Sequence, residues 1–178
     1  MTATPPERLF TDDLAWDKQA THTRDVESFL PIRRLSELVS VGRIGSLSGS
    51  MAGGQSSARL TWERSGFGPK DVDVAQIYDG FSASVIYGLE SYGFCKEGEA
   101  LDFIQDGRME LDGGLPLNTF GGSLSTGRIH GLWHIIEGVL QASGRAGERQ
   151  VKDANVSFVG ASAPIVQGTT FIFVKEPY

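Results

Sequence analysis

Residues 115–140 narrow the choice of fold more than any other stretch of this chain. A short apolar run, Leu-Pro-Leu-Asn at 115–118, leads into a segment rich in Gly, Ser and Thr over 119–127. From Ile129 onward apolar positions recur at helical spacing. The pattern predicts a strand, a backbone-rich loop and a buried helix. Gly121, Gly122 and Gly127 permit positive φ and let a ligand approach the main chain. A loop of this kind, opening onto a helix N-terminus, can offer N–H donors to an anion or a developing oxyanion. His130 and His134 are four residues apart, which predicts that they share one helical face just inside that helix.

The same order of elements occurs earlier. Residues 74–78 (Val-Ala-Gln-Ile-Tyr) read as a short buried strand, Asp79 and Gly80 break it, and 81–92 carry helix-compatible apolar spacing at Phe81, Val85, Ile86 and Leu89. Two strand–turn–helix junctions can set their polar residues at the same strand ends, where α/β folds hold their sites. Asp79 reads as the N-cap of the helix that follows it. The sequence predicts a strand within 35–44, a flexible loop over 45–57, and a short helix over 58–65 closed by Gly66 in a left-handed cap. The acidic, glycine-rich residues 93–114 read as a solvated excursion, and 155–159 and 169–174 as two strands with β-branched and aromatic content. The sum is an α/β fold with a mixed sheet covered by helices. Residues 1–34 are expected to be a polar, poorly structured N-terminal arm, and 35–178 the folded domain.

Composition limits the partners. The chain has 178 residues, enough for one ordinary domain, and a formal charge of −6 with scattered basic residues. Neither nucleic acid nor an anionic membrane surface is an expected partner. No apolar run reaches membrane-spanning length, and the single cysteine, Cys95, has no internal disulfide partner. A reducing, cytoplasmic location is expected. His130, His134 and Glu137 also fall at i, i+4 and i+7, a spacing that metal ligands use. Gly131, however, stands where the zinc-protease motif needs its glutamate, so no metal site and no bound cofactor are expected.

From Gly66 onward, an ordered set of short motifs resembles the C-terminal half of the thiolase superfamily. It is nearest to the sterol-carrier-protein thiolases and the lipid-transfer-protein aldolases related to them. The motifs are Gly68-Pro69-Lys70-Asp71-Val72-Asp73, Ile77-Tyr78-Asp79-Gly80-Phe81-Ser82, Gly93-Phe94-Cys95, Leu117-Asn118-Thr119-Phe120-Gly121-Gly122, His130-Gly131 with His134, and Gly147-Glu148-Arg149-Gln150-Val151. The resemblance implies a thiolase-like half, a five-stranded mixed sheet with helices. It also implies a missing partner half, since a half alone exposes a large apolar helical face. A homo- or hetero-oligomer with a thiolase-like subunit is therefore implied, and a small zinc-ribbon and OB-fold partner as well.

Position by position, the resemblance also speaks to chemistry. Where sterol-carrier-protein thiolases have His-Asp-Cys-Phe, this chain has Tyr78-Asp79-Gly80-Phe81, and where thiolases have Gly-His-Pro it has Gly127-Arg128-Ile129. The last active-site loop is Gly160-Ala161-Ser162-Ala163, with no acid–base group beyond a hydroxyl. The nucleophilic cysteine of thiolases has no counterpart, because Cys95 matches the Gly-Phe-Cys segment. Retro-aldol cleavage of a steroid- or lipid-type 3-hydroxyacyl-CoA asks less: a base for the hydroxyl proton and donors for the thioester enolate. Tyr78, His130 and His134 are the candidate catalytic residues. Gly121, Gly122, Gly127 and Arg128 are the candidate substrate-binding residues, and the CoA thioester is substrate rather than cofactor. The alternatives are a non-catalytic half-thiolase scaffold that completes a partner subunit, and a thiolase-type acyltransferase fragment.

Overall fold

The computed structural model describes residues 39–42, 52–164 and 168–176; the arm expected over 1–34 lies outside them. In chain order the elements are β1 (Val39–Gly42), α1 (Ala52–Ser65), a 3-10 turn (Pro69–Asp71), β2 (Val74–Ile77), α2 (Ser82–Ser91) and α3 (Ala100–Phe103). There follow α4 (Gly122–Thr126), α5 (Leu132–Ala142), a second 3-10 turn (Gly147–Arg149), β3 (Val156–Gly160) and β4 (Gly168–Val174). The sheet order is β1-β4-β3-β2. β2 runs parallel to β3, whereas β3 pairs with β4 and β4 with β1 antiparallel, so the sheet is mixed as expected.

Among the described residues the sheet has four strands, not the five expected. Where a fifth would continue, a single bridge joins Leu117 to Ala75. The Pro116 carbonyl accepts the Ala75 N–H at 2.9 Å, and the Asn118 N–H donates to the Ala75 carbonyl at 3.0 Å. The Asn118 side chain then replaces backbone: its Oδ1 accepts the Ile77 N–H and its Nδ2 donates to the Ile77 carbonyl, both at 2.8 Å. With φ at +49°, Asn118 turns the chain away, having already satisfied the β2 edge. One amide side chain thus does what further strand residues would do.

Strand alternation sends side chains to both faces of the sheet. Phe158, Ile172 and Val174 pack beneath α1 and α2, while Val159, Phe171 and Phe173 meet α5. Trp62 stacks on Phe158 with ring centroids 4.9 Å apart and donates from Nε1 to the Tyr92 carbonyl at 3.1 Å. α1 begins at Ala52, well before the position 58 that the sequence suggested. The reason is close packing: a Cβ on Gly54 would stand 2.7 Å from the Pro164 Cβ, and one on Gly168 would overlap the Gly53 carbonyl. Small residues that look like a flexible loop are what let this helix approach β4. Hydroxyls of Ser57 and Thr61 meet Thr170 at 2.6 and 2.7 Å across the same contact. At its other end α1 closes as expected, with Gly66 at φ +75° and its N–H on the Trp62 carbonyl.

α5 is the element that sets up the site. Its inner side buries Val139 and Ala142, and Gly138 is pressed so closely against Val159 that a Cβ would overlap it. Its outer side leaves Leu132, Trp133 and Ile136 exposed. The helix does not start at Ile129. The chain first passes through two left-handed residues, His130 (φ +40°) and Gly131 (φ +87°), and Gly131 lies against the Ala161 carbonyl where a side chain would not fit. His130 and His134 therefore do not share a helical face; only His134 is in the helix.

Candidate active site

Tyr78, Phe81, Arg128, His130 and the 161–163 loop converge where β2 and β3 end. Tyr78 follows β2, and its N–H donates to the Gly160 carbonyl at 2.8 Å, which ties it to the end of β3. Its ring is only 6% exposed, and its hydroxyl has no hydrogen bond among the described residues. The ring lines a cavity of about 400 Å3 together with Phe81, Arg128, His130 and residues 161–163. His130 reaches this cavity because of its left-handed backbone, which turns the chain toward the 161–163 loop before α5 begins. The Arg128 guanidinium lies 5.6 Å from the centre of the Phe81 ring, placing a cation over an aromatic face at the rim.

His134 stands behind this wall. It is fully buried on α5, its ring centre 5.8 Å from that of Tyr78 and 5.0 Å, edge-on, from that of Phe120. Its Nε2 is 3.0 Å from Asp79 Oδ1, and the same oxygen accepts the Ser123 N–H at 2.7 Å. Burial pushes the imidazole below its ordinary value, outweighing the Asp79 charge, the Asp79 hydrogen bond and the Ile77 carbonyl, which act the other way. The neutral ring then donates from Nε2 to the carboxylate and leaves Nδ1 without a hydrogen bond of good geometry.

Asp79 is not the cap of α2, whose N-cap is Phe81 with no side-chain bond. It caps α4 instead, a helix 44 residues further along the chain. Its carboxylate fills the space above Gly122, where a Cβ would stand 2.8 Å from Asp79 Cγ. The glycine-rich segment is accordingly part helix and largely occupied by its own bonds. The Gly121 N–H donates to the Asn118 carbonyl, the Gly127 N–H to the Ser123 carbonyl, and Gly122 is buried against Asp79. None of these three glycines lines the cavity that holds Tyr78, Arg128 and His130.

Sequence reasoning assigned Glu137 only a metal-ligand spacing; the structure gives it another environment. It is 2% exposed and accepts from Thr119 Oγ1 at 2.7 Å, Gln141 Nε2 at 3.1 Å and Arg149 at 3.0 Å. Arg149 is held above its usual range by those bonds to Glu137 and by its charge. Among the described residues no three His, Cys, Asp or Glu side chains are grouped to hold a metal ion. Cys95 lies outside the cavity, and its thiol is pushed up to about 11 by burial and by the charges of Glu90 and Glu99, which disfavours the nucleophilic thiolate. A larger depression of about 580 Å3 beside Phe67 carries Asp71 and Asp73. Asp71 accepts the Gly68 N–H, and Asp73 accepts the N–H groups of Asn155 and Val156, so both serve the backbone. The site that sequence reasoning missed in part is its apolar rim. Phe81 was visible as a helical apolar position and as the last residue of the Tyr78-Asp79-Gly80-Phe81 motif, and a large aromatic directly after a strand-ending Asp-Gly is a signal for a residue at a strand mouth.

Comparison with known proteins agrees with this architecture. Residues 40–175 match the family model described as thiolase C-terminal domain-like. Over 86 residues the chain is 49% identical to a 17-hydroxy-3-oxo-4-pregnene-20-carboxyl-CoA lyase from Mycobacterium tuberculosis, covering 48% of this chain and 22% of that protein. Over 83 residues it is 46% identical to a steroid side-chain-cleaving aldolase from Thermomonospora curvata, covering 47% of this chain and 21% of that one. Among solved structures, a chain described as Ltp2-ChsH2(DUF35) aldolase superposes with a TM-score of 0.68 at 30% identity, over 79% of this chain and 39% of its own. The chain thus matches about a fifth of the length of these curated relatives.

Proposed function

The chain belongs to the thiolase C-terminal domain-like family, and from that premise we propose that it is a subunit of an acyl-CoA carbon–carbon lyase. Its reaction is retro-aldol cleavage of a steroid- or lipid-type 3-hydroxyacyl-CoA. The observation that carries this reading is Tyr78, whose hydroxyl has no hydrogen bond among the described residues, lining one cavity with His130 and Arg128. The relatives named as a lyase of a steroid carboxyl-CoA and a side-chain-cleaving aldolase support the substrate class.

In this mechanism His130 takes the proton of the substrate's 3-hydroxyl as the bond between C2 and C3 breaks. The bonding pair passes into the thioester as its enolate, C3, a tertiary carbinol carbon in the substrate, leaves as a ketone, and the Tyr78 phenol delivers a proton to C2. The products are a ketone and a shortened acyl-CoA, with no change in overall oxidation state. Arg128 lies at the mouth, where it meets an anionic group of the CoA or of the acyl chain. His134 does not touch substrate. Paired with Asp79, it buttresses the Tyr78 ring from behind.

Completion by another subunit belongs to the same proposal. Leu124 is 67% exposed, and with Ile129, Leu132, Trp133 and Ile136 it forms an apolar face over α4 and α5. A thiolase-like subunit or a second copy covers this face, and a small zinc-ribbon and OB-fold partner joins the complex, in keeping with the ChsH2(DUF35) partner named for the structural neighbour. We place the domain at 35–178 and the complex in the cytoplasm. The apolar face would serve a non-catalytic scaffold equally well, so activity must decide. Coexpression with neighbouring thiolase-like genes, purification of the complex and assay of ketone release provide the test. Tyr78→Phe and His130→Ala are each expected to lower turnover by about 100-fold or more; unchanged turnover in both returns the chain to a scaffold role.

A further inference from the structure

Tyr78 folds back over Gly80. A Cβ built on Gly80 would overlap the Tyr78 hydroxyl and stand 2.6 Å from its Cζ and 2.8 Å from its Cε1, closer than carbon atoms approach without displacement. Gly80 stands at a bend two residues after Tyr78, and there the two compete for one space. The backbone itself makes no such demand, because Gly80 is not among the glycines with positive φ. In this it differs from Gly122 and Gly131, which combine positive φ with close contact.

We infer that Gly80 is a positioning residue: the missing side chain at 80 is what lets the Tyr78 phenol fold over the main chain and take its place in the cavity wall. The inference rests on the reading of Tyr78 as the acid–base group. The main chain of Tyr78 is pinned to the Gly160 carbonyl, and its ring is backed by the buried His134. A methyl group at 80 therefore finds one element free to yield, the torsion of the tyrosine side chain, and it drives the hydroxyl off its position.

The experiment compares Gly80→Ala with Tyr78→Phe in the full chain within its complex, and repeats Gly80→Ala in a Tyr78→Ala background. Displacement of a reacting group by about 1 Å lowers turnover by about 100-fold, and with the rim intact KM stays within about twofold. The thermal midpoint falls on Gly80→Ala when Tyr78 is present and rises when it is Ala, since alanine at a compatible φ restricts the unfolded chain. That change of sign is a readout that a generally damaged fold does not give. If Tyr78→Phe abolishes cleavage while Gly80→Ala leaves kcat unchanged, the inference is overturned and the acid–base reading survives. If Tyr78→Phe itself leaves kcat unchanged, the acid–base reading fails and the inference with it. Equal shifts of the midpoint in the two backgrounds overturn the inference as well.

Discussion

Replacing Asp79 by alanine removes one oxygen that serves two buried donors. Oδ1 accepts the Ser123 N–H at 2.7 Å and the His134 Nε2–H at 3.0 Å. Asp79 and Ser123 are each 6% exposed and His134 not at all, so water does not replace the lost acceptor. A stranded buried donor costs about 1–3 kcal/mol, and two together cost about 2–6 kcal/mol. Against a total domain stability of about 5–15 kcal/mol, this is a large loss. Asp79→Asn gives the contrast, because an amide oxygen at the Oδ1 position still accepts both bonds, while the charge is lost and the Oδ2 position becomes an amide donor. Its expected cost is about 1 kcal/mol. Urea unfolding followed by far-UV circular dichroism measures both, with the slope checked for constancy between variants. If Asp79→Ala and Asp79→Asn agree within about 0.5 kcal/mol, the shared-acceptor argument is wrong. A cost for Asp79→Ala below that same margin would mean that the pair is not sealed from water.

Three further outcomes follow from the same contacts. Because burial lowers the His134 imidazole, the unfolded chain takes up a proton below pH about 6.5 that the folded ring resists. Stability therefore falls as pH drops through that point until the folded ring titrates, and His134→Gln loses this component; urea midpoints compared at pH 7.5 and 5.5 check it. Gly138→Ala puts a methyl group into Val159 and within 3.3 Å of the Phe173 ring, and is expected to cost about 1–3 kcal/mol in the same unfolding assay. The double variant Trp133→Glu/Ile136→Glu is expected to abolish association with the partner subunit while leaving the circular dichroism spectrum intact, as judged by light scattering of the coexpressed proteins.

The strands were legible because they carry their own pattern. Val156–Gly160 and Gly168–Val174 are runs of β-branched and aromatic residues, and their side chains alternate between two covered faces. What eluded sequence reasoning depends on residues distant in the chain. Gly53 and Gly54 look like loop until β4 and Pro164 are seen beside them. Asp79 looks like a local N-cap, yet the N–H groups it serves are decided by where α4 docks. The spacing of His130 and His134 predicts a shared helical face, but Gly131 packs against the Ala161 carbonyl and the chain must turn before the helix can begin. That turn separates the two histidines, setting one in the cavity and the other behind its wall. Tyr78, His130 and Arg128 were singled out by the motifs of the resembled family, and the fold sets all three around one cavity.

The central claim is the type of bond cleavage, and the products report it most directly. The purified complex is given a 3-hydroxyacyl-CoA bearing a steroid-like side chain in deuterated water, and the products are analysed by mass spectrometry. The account predicts one ketone and one shortened acyl-CoA per substrate, with a single solvent-derived deuterium on the α-carbon and no consumption of free CoA. Cleavage that proceeds only as free CoA is consumed would contradict it and mark the chemistry as thiolytic acyl transfer.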